Sequence, residues 1–197
     1  MNTTDFGERL CTIAVEAIGV TLRDGTRPPP DLDGLEPDLR KPGASFVTLE
    51  RDIRLLGCVG ALEPRAPLAI DVAEHARAAA FDDPRVPPIT IEDFEYMSVK
   101  VSVLSPSSPI PVRSTNELRS ALRVGVDGIA IEDGKRRATF LPSVWPKIRD
   151  ADDFLAALWL KAGLRPGTWP DGLSVSRYTT VEYADPGPRH FADVSTS

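Results

Sequence analysis

The alternation in Tyr96 to Leu104 constrains the fold more than any other feature of this chain. Met97, Val99, Val101 and Val103 fall on one side, and Ser98, Lys100 and Ser102 on the other. A period of two is that of a β-strand with one face buried. The chain must therefore build a sheet and cover one face of it. Ser105-Pro106 ends the run, because proline has no N–H to give to a ladder. Ala44 to Leu49 and Ile53 to Val59, separated by the polar, turn-like Glu50-Arg51-Asp52, read as a hairpin. Gly128 to Glu132 and Arg136 to Leu141 flank Asp133-Gly134, the strongest short hairpin signal in the chain, with positive φ expected at Gly134. Leu173 to Tyr183, rich in β-branched and aromatic residues, reads as one last strand.

Helices cover such a sheet. Asp5 to Ile18 has apolar residues at helical spacing, Asp5 and Glu8 as a capping pair, and Gly19 as a stop. Leu68 to Phe81 presents a face of small residues suited to close packing. Asp150 to Ala162 carries Phe154, Leu155, Leu158 and Trp159 on one stripe, with Gly163 at its end. Ser114 and Glu117 open a short helix to about Leu122. The segment from Arg23 to Gly43 is rich in proline and reads as an irregular connection. Hairpins and helices alternate without βαβ regularity. The fold class expected is α+β, a largely antiparallel sheet packed with about three long helices. Residues 186–197 lack periodicity and read as a loose C-terminal tail.

Of 197 residues, 42% are hydrophobic and 26% charged, as in ordinary globular domains, and the formal net charge is −6. That balance argues against nucleic acid and against an anionic membrane, both of which need a surplus of Lys and Arg. Lys135-Arg136-Arg137 reads as a solvated hairpin edge. Two cysteines, Cys11 and Cys58, and two histidines, His75 and His190, show no metal-ligand spacing. No P-loop, dinucleotide fingerprint or Ser/His/Asp order appears, so no cofactor is expected. The N-terminal stretch lacks the pattern of a signal peptide, and a cytoplasmic location with reduced thiols is expected.

The one place where a reactive side chain meets bare backbone is Leu55-Leu56-Gly57-Cys58-Val59-Gly60. Cys58 can be read as a nucleophile or redox thiol, activated by a cation or imidazole such as Arg54, Arg85 or His75. It can equally be a small buried thiol. Gly57 and Gly60 can admit a ligand against the backbone, or simply let the strand bulge. Arg85, after the rigid Asp83-Pro84, can anchor a small anionic ligand, or brace the loop in an ion pair with Asp82, Asp83 or Glu63. Cys11 reads as an inert helix-side thiol. His75 reads as a satisfied or surface histidine, and His190 belongs to the tail.

A set of short motifs in fixed order adds to this. They are Ala44-Ser45-Phe46-Val47-Thr48-Leu49, Leu56-Gly57-Cys58-Val59-Gly60, Ala78-Ala79-Ala80-Phe81 with Asp83-Pro84-Arg85, Val101-Ser102-Val103-Leu104-Ser105-Pro106, Gly125-Val126-Asp127-Gly128, Phe140-Leu141-Pro142-Ser143-Val144 and Lys161-Ala162-Gly163-Leu164. In this order the chain resembles the AMMECR-one domain family, whose prokaryotic members are the A component of AmmeMemoRadiSam systems. The match runs from about Leu10 to Tyr183. The resemblance implies an α+β domain over residues 5–185 with a larger and a smaller lobe. It implies partnership with a Memo-like protein and a radical SAM enzyme, and no settled activity. The family's Leu-Arg-Gly-Cys-Ile-Gly has Leu56 at its arginine position here, with Arg54 as a candidate substitute. Val86 replaces the phenylalanine of Asp-Pro-Arg-Phe. Two functions stay open. One is an accessory or adaptor component of such a pathway. The other is a thiol-dependent enzyme, with Cys58 as nucleophile and Arg85 as anchor, acting on a small molecule or protein.

Overall fold

The structure is a computed structural model, and it describes residues 3–193. The chain divides into two compact units, residues 1–103 with 181–197, and residues 104–180. Both mix helices with antiparallel strand pairs, as an α+β chain should.

In the first unit the elements are α1 (Thr3–Asp24), α2 (Pro37–Arg40), β1 (Pro42–Gly43), β2 (Ser45–Arg51), β3 (Arg54–Gly60), β4 (Ala66–Pro67), α3 (Leu68–Arg77), α4 (Ile91–Tyr96) and β5 (Ser98–Leu104). A single π-helical turn, Ala78–Asp82, continues α3. Strand β10 (Thr180–Asp185) closes a four-stranded sheet ordered β10-β5-β2-β3. Val47, Leu49, Val99 and Val101 are fully buried on one face of it, in one core with Leu10, Ala14, Ile18, Val72 and Ala76 of the helices. Each such side chain contributes about 1.5–3 kcal/mol by leaving water. This face is the one that the alternation in Met97 to Val103 predicts. Tyr96, read as the start of the strand, ends α4 instead, and it is exposed.

Helix α1 runs past Gly19 and stops at Gly25, which has φ 67° and donates to Thr21 O at 2.9 Å. One glycine inside a helix costs about 1 kcal/mol, and beyond it Leu22 packs against the core while the buried Thr21 donates its hydroxyl to Ala17 O at 2.9 Å. Helix α4 was not legible as a period, being six residues long. Its start is nonetheless a capping box, with Thr90 Oγ1 accepting from Asp93 N and Asp93 accepting from Thr90 N.

The second unit holds β6 (Ser108–Pro109), α5 (Thr115–Ala121), β7 (Gly128–Asp133), β8 (Arg136–Phe140), a 3-10 turn at Pro142–Val144, α6 (Ala151–Lys161) and β9 (Ser174–Tyr178). The sheet order is β6-β9-β7-β8. Gly134 takes φ 61° in the β7–β8 turn. Asp150 caps α6 through Asp152 N and Asp153 N, and Gly163 ends it at φ 72°. Trp145 stacks on Phe154 at 3.8 Å within this unit's core.

Two expectations are corrected. The stretch from Leu173 to Tyr183 is two strands, β9 and β10, broken at Thr179 and belonging to different sheets. Residues 186–193 are not loose. Arg189 inserts at the end of α4, donating to Phe94 O at 2.9 Å and Met97 O at 2.8 Å, and Phe191 packs edge-on against Phe94. Those carbonyls are the unsatisfied C-terminal groups of a helix, and a guanidinium is suited to them. Residues 194–197 of the expected tail lie outside the described residues.

Candidate functional site

Strand β3 is an edge strand. In its register with β2, Cys58 lies opposite Thr48. The peptide groups of Cys58 face outward, away from β2, so this is a non-hydrogen-bonded pair. In such pairs the side chains are closest, and Thr48 Oγ1 donates to Cys58 Sγ at 3.3 Å. The thiol is half-buried, on the sheet face away from the helices. Lys100 of β5 lies opposite Thr48 on the same face and bonds Glu50 Oε2 at 2.6 Å. Cys58, Thr48 and Lys100 thus form one cross-strand row.

The outward peptide groups of Cys58 are met by the turn Asp83-Pro84-Arg85-Val86. Asp at its first position and Pro at its second are what such a turn favours. Val86 N closes it on Asp83 O at 3.3 Å. The Asp83 carboxylate accepts from Cys58 N at 3.0 Å, from Arg85 N at 3.1 Å, and from Arg85 Nε and Nη2 at 2.8 and 2.6 Å. Arg85 Nη2 also donates to Cys58 O at 2.7 Å. An ion pair here stands where a neighbouring strand would. Asp83 is buried while Arg85 is largely exposed. The Arg85 guanidinium, helped by the N–H groups of Cys58 and Arg85 and opposed by burial, holds the Asp83 carboxyl well below the usual carboxylate range. Arg85 is raised in turn, first by its bond to Asp83 and to a smaller degree by the Cys58 sulfur.

The sequence-derived residues do not all converge. Cys58 and Arg85 meet, but through the Cys58 carbonyl. A Cβ on Gly57 would lie 1.9 Å from Ala79 O, so this glycine admits the backbone of the π-helical turn. A Cβ on Gly60 would lie 2.3 Å from the Phe46 ring, which covers it. The room that both glycines make is filled by the chain itself. Arg54 stands four residues along β3 from Cys58, about 13 Å at strand rise, and pairs with Asp93 at 2.6 Å. His75 Nδ1 faces Asp71 Oδ2 at 3.2 Å, and that oxygen also accepts from the buried Ser45 at 2.7 Å. Leu56 is the extra residue of a bulge opposite Leu49 and Glu50, buried in the core. Burial above all pushes the Cys11 thiol up to about 11, which leaves it protonated and inert at neutral pH.

Sequence reasoning missed Thr48, Lys100 and the second role of Asp83. The alternation places Lys100 on the polar face, but only the register shows that it shares a row with Cys58.

The AMMECR1 family model matches residues 11–183. The chain belongs to the AMMECR1 family. A protein of Methanothermobacter thermautotrophicus is 41% identical over 175 residues, covering 85% of this chain and 87% of its own length. Protein PF1979 of Pyrococcus furiosus is 35% identical, covering 94% of this chain and 90% of its own length. The uncharacterized protein PH0010 from Pyrococcus horikoshii, a crystal structure, matches with a TM-score of 0.88 at 33% identity over 95% of each chain. Within this AMMECR1 domain the Gly-Cys and Asp-Pro-Arg motifs, 25 residues apart in sequence, are the two halves of one hydrogen-bonded unit. Among the described residues no helix is long and apolar enough to cross a membrane.

Proposed function

We propose that this AMMECR1-family chain is an accessory component that acts by binding other proteins rather than by catalysis. The setting is that of an AmmeMemoRadiSam-type pathway, with a Memo-like protein and a radical SAM enzyme as partners. One observation carries the reading: the charged groups nearest Cys58 are spent on its own peptide bond. Asp83 and Arg85 neutralise each other, and among the described residues no imidazole or carboxylate is hydrogen-bonded to the thiol. A nucleophilic cysteine needs a base or a free cation beside the sulfur. The family resemblance supplies the pathway. The test is reconstitution of the purified chain with each partner, read by size-exclusion chromatography. Complex formation is expected, unchanged in Cys58→Ser. Absence of any complex with either protein would end this reading.

The second reading, a thiol-dependent enzyme, draws on the half-exposed sulfur bonded by Thr48 and on Arg85, whose guanidinium reaches the carbonyl of the same cysteine. It requires Cys58 to react with iodoacetamide at neutral pH much faster than Cys11, and Arg85→Ala to slow that reaction. Labelling of Cys58 only after denaturation would remove it.

A further inference from the structure

Exposed apolar side chains flank one charged corner of the first unit. Of the eight large ones in the described residues, Ile53 is in the β2–β3 turn, Leu55 is the second residue of β3, and Ile91 and Tyr96 are the ends of α4. Ile53 is fully exposed at the tip of the turn, beside Asp52 at φ 55°. Turn tips normally carry Gly, Asn, Asp or Ser, so a fully exposed isoleucine at a tip, flanked by charge and followed by the exposed Leu55, marks an interaction site.

The corner is also rigid. Arg51 reaches across to α4, bonding Glu92 at 2.7 Å and Asp93 at 3.3 Å, with its guanidinium 5.4 Å from the centre of the Tyr96 ring. Arg54, on the other side of the tip, bonds Asp93 at 2.6 Å. Asp93 is in turn fixed by Thr90. Two arginines from the two strands therefore pin the hairpin to one carboxylate, and Ile53 projects between them. A tip held in place before contact loses little further freedom when it binds.

We propose that this corner docks into a different protein, one that offers an apolar cleft rimmed by Lys and Arg. Charge selects that occupant. The unit that bears the corner has twelve Lys and Arg against twenty-one Asp and Glu, a net of −9, whereas residues 104–180 have eleven against eight, a net of +3. At the tip itself both arginines are neutralised while the Asp52 carboxylate stays exposed. A second copy of the same corner would bring like charges together, and nucleic acid or an anionic lipid surface would be repelled. A basic rim around an apolar cleft meets both the charge and the side chains.

The inference rests on the reading that the chain binds other proteins, and its test is separable from the pathway named above. The full chain is made in its own host with benzoylphenylalanine at position 53, and in a second strain at position 124, an exposed apolar site of the other unit. We expect one cross-linked protein from position 53 and not from 124, with the cross-linked peptide apolar and flanked by Lys or Arg. Once that protein is purified, Ile53→Ala should weaken binding by about thirtyfold, as for a central anchor residue, with the thermal midpoint unchanged. A cross-link to a second copy, to an acidic peptide, or equally from position 124 overturns the proposal, as does the absence of any cross-link. If the cross-linked protein is the Memo-like protein or the radical SAM enzyme and Ile53→Ala leaves its binding intact, the docking corner falls and the adaptor reading stands. If the cross-linked protein is neither of them, the corner stands, and the pathway assignment is decided by the reconstitution alone.

Discussion

Replacing Asp83 with Ala removes the acceptor that holds the edge of β3. Cys58 N, Arg85 N and Arg85 Nε lose their partner, and Arg85 Nη2 keeps only its bond to Cys58 O. The guanidinium is 60% exposed and regains water, so its ion pair is counted as a surface pair, about 0.5 kcal/mol. The turn bond to Arg85 N is worth about 1 kcal/mol, and the bond from Cys58 N to a charged acceptor about 1.5 kcal/mol. The total is about 3 kcal/mol, or about 6–12 °C in thermal midpoint for a chain of this size. The pH dependence follows from the direction of the shift. A carboxyl depressed in the folded state contributes stability that is present above its unfolded pKa of about 4, and loses it as the pH falls towards the folded value. The difference between the parent chain and Asp83→Asn should therefore be flat above about pH 5 and shrink below about pH 4. Amide exchange at Cys58 should quicken in Asp83→Ala while Gly57 and Val59 stay protected. A loss under about 0.5 kcal/mol, unchanged exchange at Cys58, or a difference that grows in acid would refute the clamp.

Gly57→Ala puts a methyl group 1.9 Å from Ala79 O, and thermal unfolding should show a loss of about 2–3 kcal/mol from overpacking. Gly134→Val meets nothing within 4 Å, so its cost is the strain of positive φ alone, about 1–2 kcal/mol. An unchanged thermal midpoint would show that the turn relaxes. Arg189→Ala removes two bonds to the end of α4 and the 3.1 Å pair with Asp185. About 2 kcal/mol should be lost, and the Arg189 and Phe191 amides should exchange faster.

What was legible in the chain is what is local. The strand Ser98–Leu104, the Gly134 turn and the caps of α6 at Asp150 and Gly163 are each encoded within a few residues. What was not legible depends on distant partners. Gly19 reads as a helix stop until the packing of α1 on α3 is known. Thr179 reads as mid-strand until one half is seen to pair with β7 and the other to join the sheet of β5. The docking of residues 186–193 hangs on Arg189 finding carbonyls more than ninety residues away. At the candidate site the ion pair of Arg85 with Asp83 is foreseeable from their spacing, but its target, the peptide of Cys58, is not. Arg54 has the right charge, yet Asp93 claims it.

The capping of the strand edges narrows how this AMMECR1 domain can meet a partner. An edge strand offers a row of free N–H and C=O groups, to which another chain readily adds as a further strand. Here β3 has its groups at Cys58 taken by Asp83 and Arg85. At the other sheet's edge, in β8, the carbonyl of Thr139 accepts from Lys161 Nζ at 2.9 Å. Each cap uses a charge, which would have to be displaced before a strand could add there. A partner is thereby steered away from backbone pairing at these points and towards side chains. The β2–β3 turn, where Ile53 stands clear of the ladder and the flanking arginines are already paired, offers side chains without any such displacement. The clamp at Cys58 and the exposed tip of the same hairpin are thus complementary: one blocks strand addition at the middle of β3, and the other leaves the turn open to a partner.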